Sequence, residues 1–491
     1  MSYQTTDPRD AFIMSTMEDL VPADHLVRKL LKHVRFDFIR DLAKPYYSDI
    51  GRPGYDPVIL FKIAILKSMF GIPSIRKTCE EVKVNIAYRY FLGIPFCEDT
   101  PDHSTYSRAY TTRFNDTDIY EKVFKGILEQ IEEAGLLEST YIFIDSTHIK
   151  ARANKRKFID TYVKAEKSVF EEEMLEAINE KRDEHGQKPL DPPTPKEKQK
   201  RKKESTSDSD SGWLNKGEKE HMFAYNAHSV CDRHGFVLGT VLKPSNIHDS
   251  QVFGEVFDIA LDRYGEGIEA AALDAGYRNG PIIKRIADKN ILPLLPYRRP
   301  NGKAKGFPRK MFVRDSEQDR YICPNHETLN YRTTTRQGYM EYVADKEACR
   351  SCPLRKECLS AKADMKILRI PVHKNYFDFS DEIRRSDYGK EIYGLRKQTI
   401  ERVFGDAKER HGCRYTHYRG IKKVSDHVSL AFACMNMKKM ALRLSERETA
   451  SSSLSAVWRW IKRFGLFMRK KTPVPGPIGL MVCQNRGFST V

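Results

Sequence analysis

Apolar positions follow two different periods along this chain. Up to about residue 115 they recur at helical spacing. DPVILFKIAILKSMFG (56–71) reads as an apolar helix closed by Gly71, with Pro73 just beyond it. SIRKTCEEVKVNIAYRYFLG (74–93) reads as two short helical pieces about a turn near Lys83, carrying Arg76, Lys77, Lys83 and Arg89. That pair is either a helix-turn-helix presenting bases to DNA or an ordinary bundle with a solvated basic face. In PDHSTYSRAYTTRF (101–114), Asp102, Ser104 and Thr105 suit a helix start, which is role enough for them.

Beyond residue 138 the period shortens. A strand is predicted within 138–153, built on YIFID. HMFAYNAHSV and GFVLGTVLK flank a turn at CDRHG and read as a hairpin. A helix should run from Asp249 to about Tyr264, followed by the short buried strands IEAAALD and NILPLLP with a helix between them. Strand, hairpin, helix, strand, helix, strand is the order of a mixed α/β sheet. Between the first strand and the hairpin, 154–220 is long and charged. Its first half suits an exposed helix, and PPTPKEKQKRKKESTSDSDSG suits a flexible linker or insertion. Two strong helical patterns close the chain, 390–411 and about 421–445.

The expected layout is a helical N-terminal, DNA-binding domain over 1–115 and the first part of an α/β domain over 138–299. A cysteine-rich insertion over 300–375 follows, then C-terminal helices of the α/β domain over 376–445. A basic amphipathic tail, with WRWIKRFGLFMRKK, fills 446–491.

Composition narrows the function. The formal charge is +17, which favours a polyanionic partner, nucleic acid before membrane. No secretory pattern opens the chain and no uncharged apolar run reaches the ~18–20 residues of a membrane span. A cytoplasmic protein is expected. Ten cysteines over 491 residues do not make a disulfide scaffold, so clustered ones suggest metal.

Asp145 and Asp274 share a setting. Each ends a short apolar run, YIFID and AAALD, and each is followed by small or polar residues. In α/β sheets functional groups gather beyond the strand ends. A lone Asp there often only caps a turn or helix; two in matched places converge if the strands are neighbours, and then need a counter-charge. A divalent cation supplies it, and Mg²⁺ suits a few carboxylates plus phosphate oxygens. A third acid would hold two ions better. Glu401 is the best candidate, because on one continuous helix Lys397, Glu401 and Lys408 fall within about 40° of each other, with Tyr393 near. The same stripe also reads as an ordinary salt-bridge ladder. Paired ions stabilise the attacking and leaving oxygens of an in-line phosphoryl displacement. Lys150, Arg152 and the bases after them would then grip the nucleic acid around the acids.

FIDSTHIKARANK, LDAGY and YGLRKQTIERVFGDAK, with YRYFLGIP and PDHSTYSR upstream, resemble the DDE transposases of bacterial insertion sequences, over about residues 10–445. The resemblance implies an RNase H-like catalytic core and a metal-binding triad of Asp145, Asp274 and Glu401. It implies Mg²⁺ or Mn²⁺ as cofactor, and cleavage at transposon ends with transfer of the freed 3′-hydroxyl into target DNA. It also implies a homodimer or higher assembly on double-stranded DNA near the nucleoid, with no membrane partner. One departure stands out. The family helix carries an Arg four residues before the Glu, where this chain has Lys397, with Arg396 and Tyr393 each one residue early. On a continuous helix Arg396 points roughly 140° from Glu401, which favours Lys397 as the phosphate contact. In KPSNIHDS, Asn246, His248 and Asp249 are family-like, although Asp249 also suits the cap of the next helix.

ICPNH and CRSCPLRKEC supply Cys323, Cys349, Cys352 and Cys358, a set that suits a structural, tetrahedral Zn²⁺, with His326 as an alternate ligand. Four free thiols in a loop-rich insertion are the plainer reading. Two other functions fit the same acids or the same charge: a metal-dependent nuclease without strand transfer, and a domesticated or inactive copy acting as a DNA-binding protein.

Overall fold

The computed structural model describes residues 14–48, 50, 54–164, 170–192, 199–217, 220–297, 306–360 and 362–468. Its N-terminal region is helical. The helix Pro57–Met69 starts on Asp56, whose carboxylate accepts from Val58 N, with Pro57 at the first turn. It is apolar on nearly every side and buried along most of its length, so it forms the centre of the bundle. Ile75–Val84 and Ile86–Leu92 meet at Asn85, which ends the first and caps the second. Of the four bases on this pair, Arg76, Lys77 and Lys83 are exposed and one is not. Arg89 is buried, and its guanidinium donates to the carbonyls of Lys83, Pro95 and Glu98. Lys77 pairs with Glu81 at 3.0 Å.

Eight strands follow: β1 (Tyr141–Lys150), β2 (Phe158–Lys164), β3 (Gln199–Ser205), β4 (Gly212–Lys216), β5 (Glu220–Cys231), β6 (Val237–Pro244), β7 (Ala270–Leu273) and β8 (Leu292–Leu294). The main sheet has the order β4-β5-β1-β7-β8, with β6 also on β5. β5 runs antiparallel to β1, β4 and β6; β7 runs parallel to β1, and β8 parallel to β7. β7 reads Ala-Ala-Ala-Leu and is wholly buried, as a strand covered on both faces must be. The helix Asp249–Tyr264 lies where its pattern places it. The chain is thus a mixed α/β protein with a helical N-terminal region.

The linker expectation for the second half of 154–220 fails. β2 and β3 pair as an antiparallel ribbon, and β4 joins the main sheet. The Ser/Asp run is bound rather than loose. Asp208 is buried and accepts from Tyr225 OH (2.8 Å) and Gly420 N (3.0 Å), and Asp210 accepts from Ile421 N (2.9 Å). Two carboxylates thereby hold the start of the helix Ile421–Met468, where orphan N–H groups and the helix dipole favour negative charge.

That helix extends well past the expected end near 445. The side chains of WRWIKRFGLFMRKK, and residues 469–491, lie outside the described residues. It packs on Leu26–His33, Pro57–Met69, Ile119–Glu133 and β6, so N-terminal helices, main sheet and C-terminal helices share one apolar core. A separate core belongs to an antiparallel sheet of β9 (Val313–Asp315), β10 (Arg320–Ile322), β11 (Thr328–Thr334), β12 (Tyr339–Ala344) and β13 (Ile367–Pro371). Leu329, Tyr342 and Ile370 fill it together with Ile178, from the helix Phe170–Asp183.

Candidate active site

The parallel ladder between β1 and β7 ends at Ile144 opposite Leu273. The next residue on each strand is Asp145 and Asp274, so the two acids stand side by side. β7 stops there. β1 does not: it continues against β5 as far as Lys150. Asp145 is therefore mid-strand, not at a strand end as its sequence suggests, and only the parallel half of the ladder ends beneath it.

Arg396 lies between the acids. Its Nη2 donates to Asp145 Oδ2 at 2.6 Å, and its Nη1 is 3.6 Å from Asp274 Oδ1 and donates to Tyr393 OH at 3.1 Å. The Arg384 guanidinium also lies over the Tyr393 ring, 4.0 Å from its centre. Burial works against the Arg396 charge, yet Asp145, Tyr393 and Asp274 outweigh it and raise its pKa. Asp145 also accepts from Ser146 N at 2.8 Å. Burial pushes its carboxyl up to about 6 against the pull of Arg396 and Ser146, and Asp274 and Asp249 add to the rise. Asp274 is the open member of the pair, with 57 % of its side chain exposed against 19 % for Asp145.

Lys397, expected in this place, is instead exposed. The reason is a break in the expected 390–411 helix. Asp387–Gly394 ends in a tight turn over Leu395–Lys397, Thr399 has φ −107° and ψ −99°, and a new helix runs Ile400–Arg410. The Thr399 hydroxyl donates to Leu395 O at 2.8 Å and fixes the break. Angles counted along one helix therefore do not apply across it.

Glu401 sits in the first turn of the new helix, which packs on β1. It is exposed and forms no hydrogen bond or ion pair with a described residue. Lys408 is half-buried; burial lowers its pKa and Lys216 and Arg414 add to this. Lys150 and Arg152 are exposed on the extension of β1. The Lys150 backbone pairs with Arg414 and Thr416, and Arg152 Nη1 donates to His417 O at 3.1 Å.

A third acid was under-read in the sequence. Asp249 does not cap its helix; the side chain of His248 does, accepting from Ser250 N. Asp249 Oδ1 accepts instead from Ser146 Oγ at 2.9 Å, with His228 Nδ1 at 3.6 Å, which brings it beside Asp145. The family-like stretch KPSNIHDS pointed to it, although a helix cap is an equally good reading of Asp249 from sequence. Asn246 is exposed. Among the described residues, no three of His, Cys, Asp and Glu close into a metal-holding group. The four clustered cysteines are half-buried and free. Burial, then Cys349, Cys323 and Cys352, push the Cys358 thiol up while Lys366 opposes them, so the four share one neighbourhood.

Residues 15–112 match a family described as a transposase domain (DUF772), and residues 322–441 match a transposase DDE domain. Both matches are to transposase families, and together they support a DDE transposase of insertion-sequence type. The first match covers the helical bundle of the transposase. The second begins in the cysteine-bearing sheet and takes in Arg396, Glu401 and Lys408, while Asp145 and Asp274 fall between the two matches. No curated protein matches the chain. Among the described residues of the transposase no helix is long and apolar enough to cross a membrane.

Proposed function

We propose that this transposase binds insertion-sequence ends and carries out metal-dependent cleavage and strand transfer at Asp145, Asp274 and Glu401. The observation that carries the reading is the adjacency of Asp145 and Asp274 just beyond a parallel β1–β7 ladder. The order β6-β5-β1-β7-β8, antiparallel then parallel, supports an RNase H-like core. The donor set fits a hard divalent cation, Mg²⁺ or Mn²⁺: carboxylate oxygens only, one of them in a buried setting that resists carrying charge alone. Asp145 and Asp274 would hold it, with Glu401 as the free acid available to complete the set. When bound, such ions supply Lewis-acid stabilisation of the attacking and leaving oxygens. Arg396 holds Asp145 through its hydrogen bond and stands beside Asp274, so its charge offsets theirs. Lys150, Arg152, Lys397 and Lys408 hold the duplex by its phosphates, and the helical region 1–115 adds to that grip.

The cysteines are read as a zinc knuckle that folds the 300–375 insertion. Metal analysis should return about one zinc per chain; a folded, zinc-free preparation would overturn this. The site works in a dimer or larger assembly on DNA at the nucleoid.

The test is cleavage of a labelled duplex carrying the element's own end, in Mg²⁺ or Mn²⁺, comparing wild type with Glu401→Gln. Nicking at the boundary, lost in the variant, is the expected result. Cutting without strand transfer would make the protein a nuclease. Binding without cutting would make it a DNA-binding copy, a reading favoured by the way Arg396 already neutralises the acids. Unchanged cutting by the variant would remove Glu401 from the site.

A further inference from the structure

A cavity of about 290 Å³ opens at the seam between the N-terminal bundle and the helix Ile421–Met468. None of Asp145, Asp274, Arg396 or Glu401 lines it. Lys67 reaches it from the helix Pro57–Met69. Only 7 % of this lysine is exposed, and among the described residues no carboxylate pairs with it. Its Nζ lies 5.4 Å from the centre of the Tyr418 ring. Burial pushes its pKa down to about 8, and only the thiols Cys413 and Cys434 oppose the fall. Beside it the Ser68 hydroxyl is buried with no hydrogen-bond partner.

The rim is basic too. Arg76 is exposed, with Nη2 3.0 Å from His103 Nε2, and Lys423 is exposed with no ion-pair partner among the described residues. Among the described residues of the lining the one carboxylate, Asp426, is already engaged by Lys422 and by Tyr110 OH at 3.0 Å. Three cations thus face a single committed anion. The walls carry Tyr106, Tyr110, Tyr120 and Tyr418.

An ammonium this little exposed, with no carboxylate beside it among the described residues, favours an anion as its partner. An apolar residue of similar shape would fill the position without needing one. We propose that this cavity binds a phosphate group, with Lys67 as its buried counter-charge, Arg76 and Lys423 at the rim, and the tyrosine rings against the attached sugar or base. The cavity is joined to the basic extension of β1 through Arg152 and His417. A phosphate there belongs either to a DNA strand following that extension or to a free mononucleotide.

Both sources are tested on the full chain in chelator, so neither needs catalysis. The first probe is dAMP against deoxyadenosine, read by melting temperature and calorimetry. The second is a labelled oligonucleotide duplex titrated over a salt series. The variants are Lys67→Met, which keeps shape and removes charge, and Lys423→Gln on the exposed rim. A dAMP-specific rise in melting temperature, with affinity weakened about ten-fold in each variant, assigns the site to a nucleotide. No response to dAMP, but a salt slope of duplex binding lowered by about one in each variant, assigns it to a DNA phosphate. If both readouts are unchanged in folded variants, the proposal is overturned. Should Lys67→Met fail to fold, Lys423→Gln decides by the same readouts.

Discussion

Arg396 and Lys67 lie at two seams of the molecule, and 4 % and 7 % of them respectively is exposed. Burial opposes the charge at both. At Arg396 two aspartates and a tyrosine outweigh that cost, and the pKa rises. At Lys67 no carboxylate among the described residues does so, and the pKa falls to about 8. The first cation completes a cluster whose members need one another; the second lines a cavity and has no carboxylate partner among the described residues. Burial alone therefore does not separate a structural cation from one that waits for a ligand. What separates them is whether the chain itself supplies the anion.

The largest effect expected from this comparison is at the open acid. Asp274→Asn should lower boundary cleavage about 1,000-fold or more while duplex affinity stays within about two-fold; lost affinity would give Asp274 a docking or folding role instead. Next comes Arg396→Met, which leaves Asp145 buried without its partner. In chelator this should cost about 3–5 kcal/mol in urea unfolding, with much of it recovered by adding Asp145→Asn. Added Mg²⁺ should restabilise the single variant if the acids hold a cation, and an equal response in both variants would argue that they do not.

A pH titration sharpens the other half. The unfolded chain holds the Lys67 proton to about 10.5, its ordinary value, but the folded chain only to about 8. Between those values the unfolded state binds more protons, so stability rises with pH. Measured as wild type minus Lys67→Met, the gain should approach about 3 kcal/mol by pH 10.5. A flat difference would mean that Lys67 stays charged in the folded protein. The smallest effect belongs to an exposed base. Lys397→Gln should reduce the salt slope of duplex binding by about one and leave stability unchanged; an unaltered slope would take Lys397 off the DNA path.

The acid pair was legible because each Asp follows an uncharged buried run, and the order of strands and helices then made β1 and β7 candidates for neighbours. The hairpin and the helix after it were legible for the same reason: their period is unbroken. Arg396 was not, since YGLRKQTIERVFGDAK keeps a helical pattern across a break that only the backbone of Thr399 reveals. SDSDSG was misread because a polar run has no period at all. Its aspartates act as caps for a helix more than 200 residues further on, a partnership that local pattern cannot express. Arg89 was misread for a related reason, since charge in a sequence does not say whether a guanidinium meets water or three carbonyls.

The 48-residue helix Ile421–Met468 has a consequence for synthesis. It lies against Leu26–His33, and Cys434 Sγ reaches Ile65 O at 3.7 Å. The ribosome makes these partners nearly 400 residues apart, roughly 20–80 s at ordinary elongation rates. Until the last helix emerges, the N-terminal bundle has an uncovered apolar flank and the Lys67 cavity lacks a wall. A nascent chain stalled before residue 421 should therefore be a substrate for chaperones and proteases. Production of working enzyme is then gated by completion of the whole message, and truncated copies do not accumulate as folded competitors.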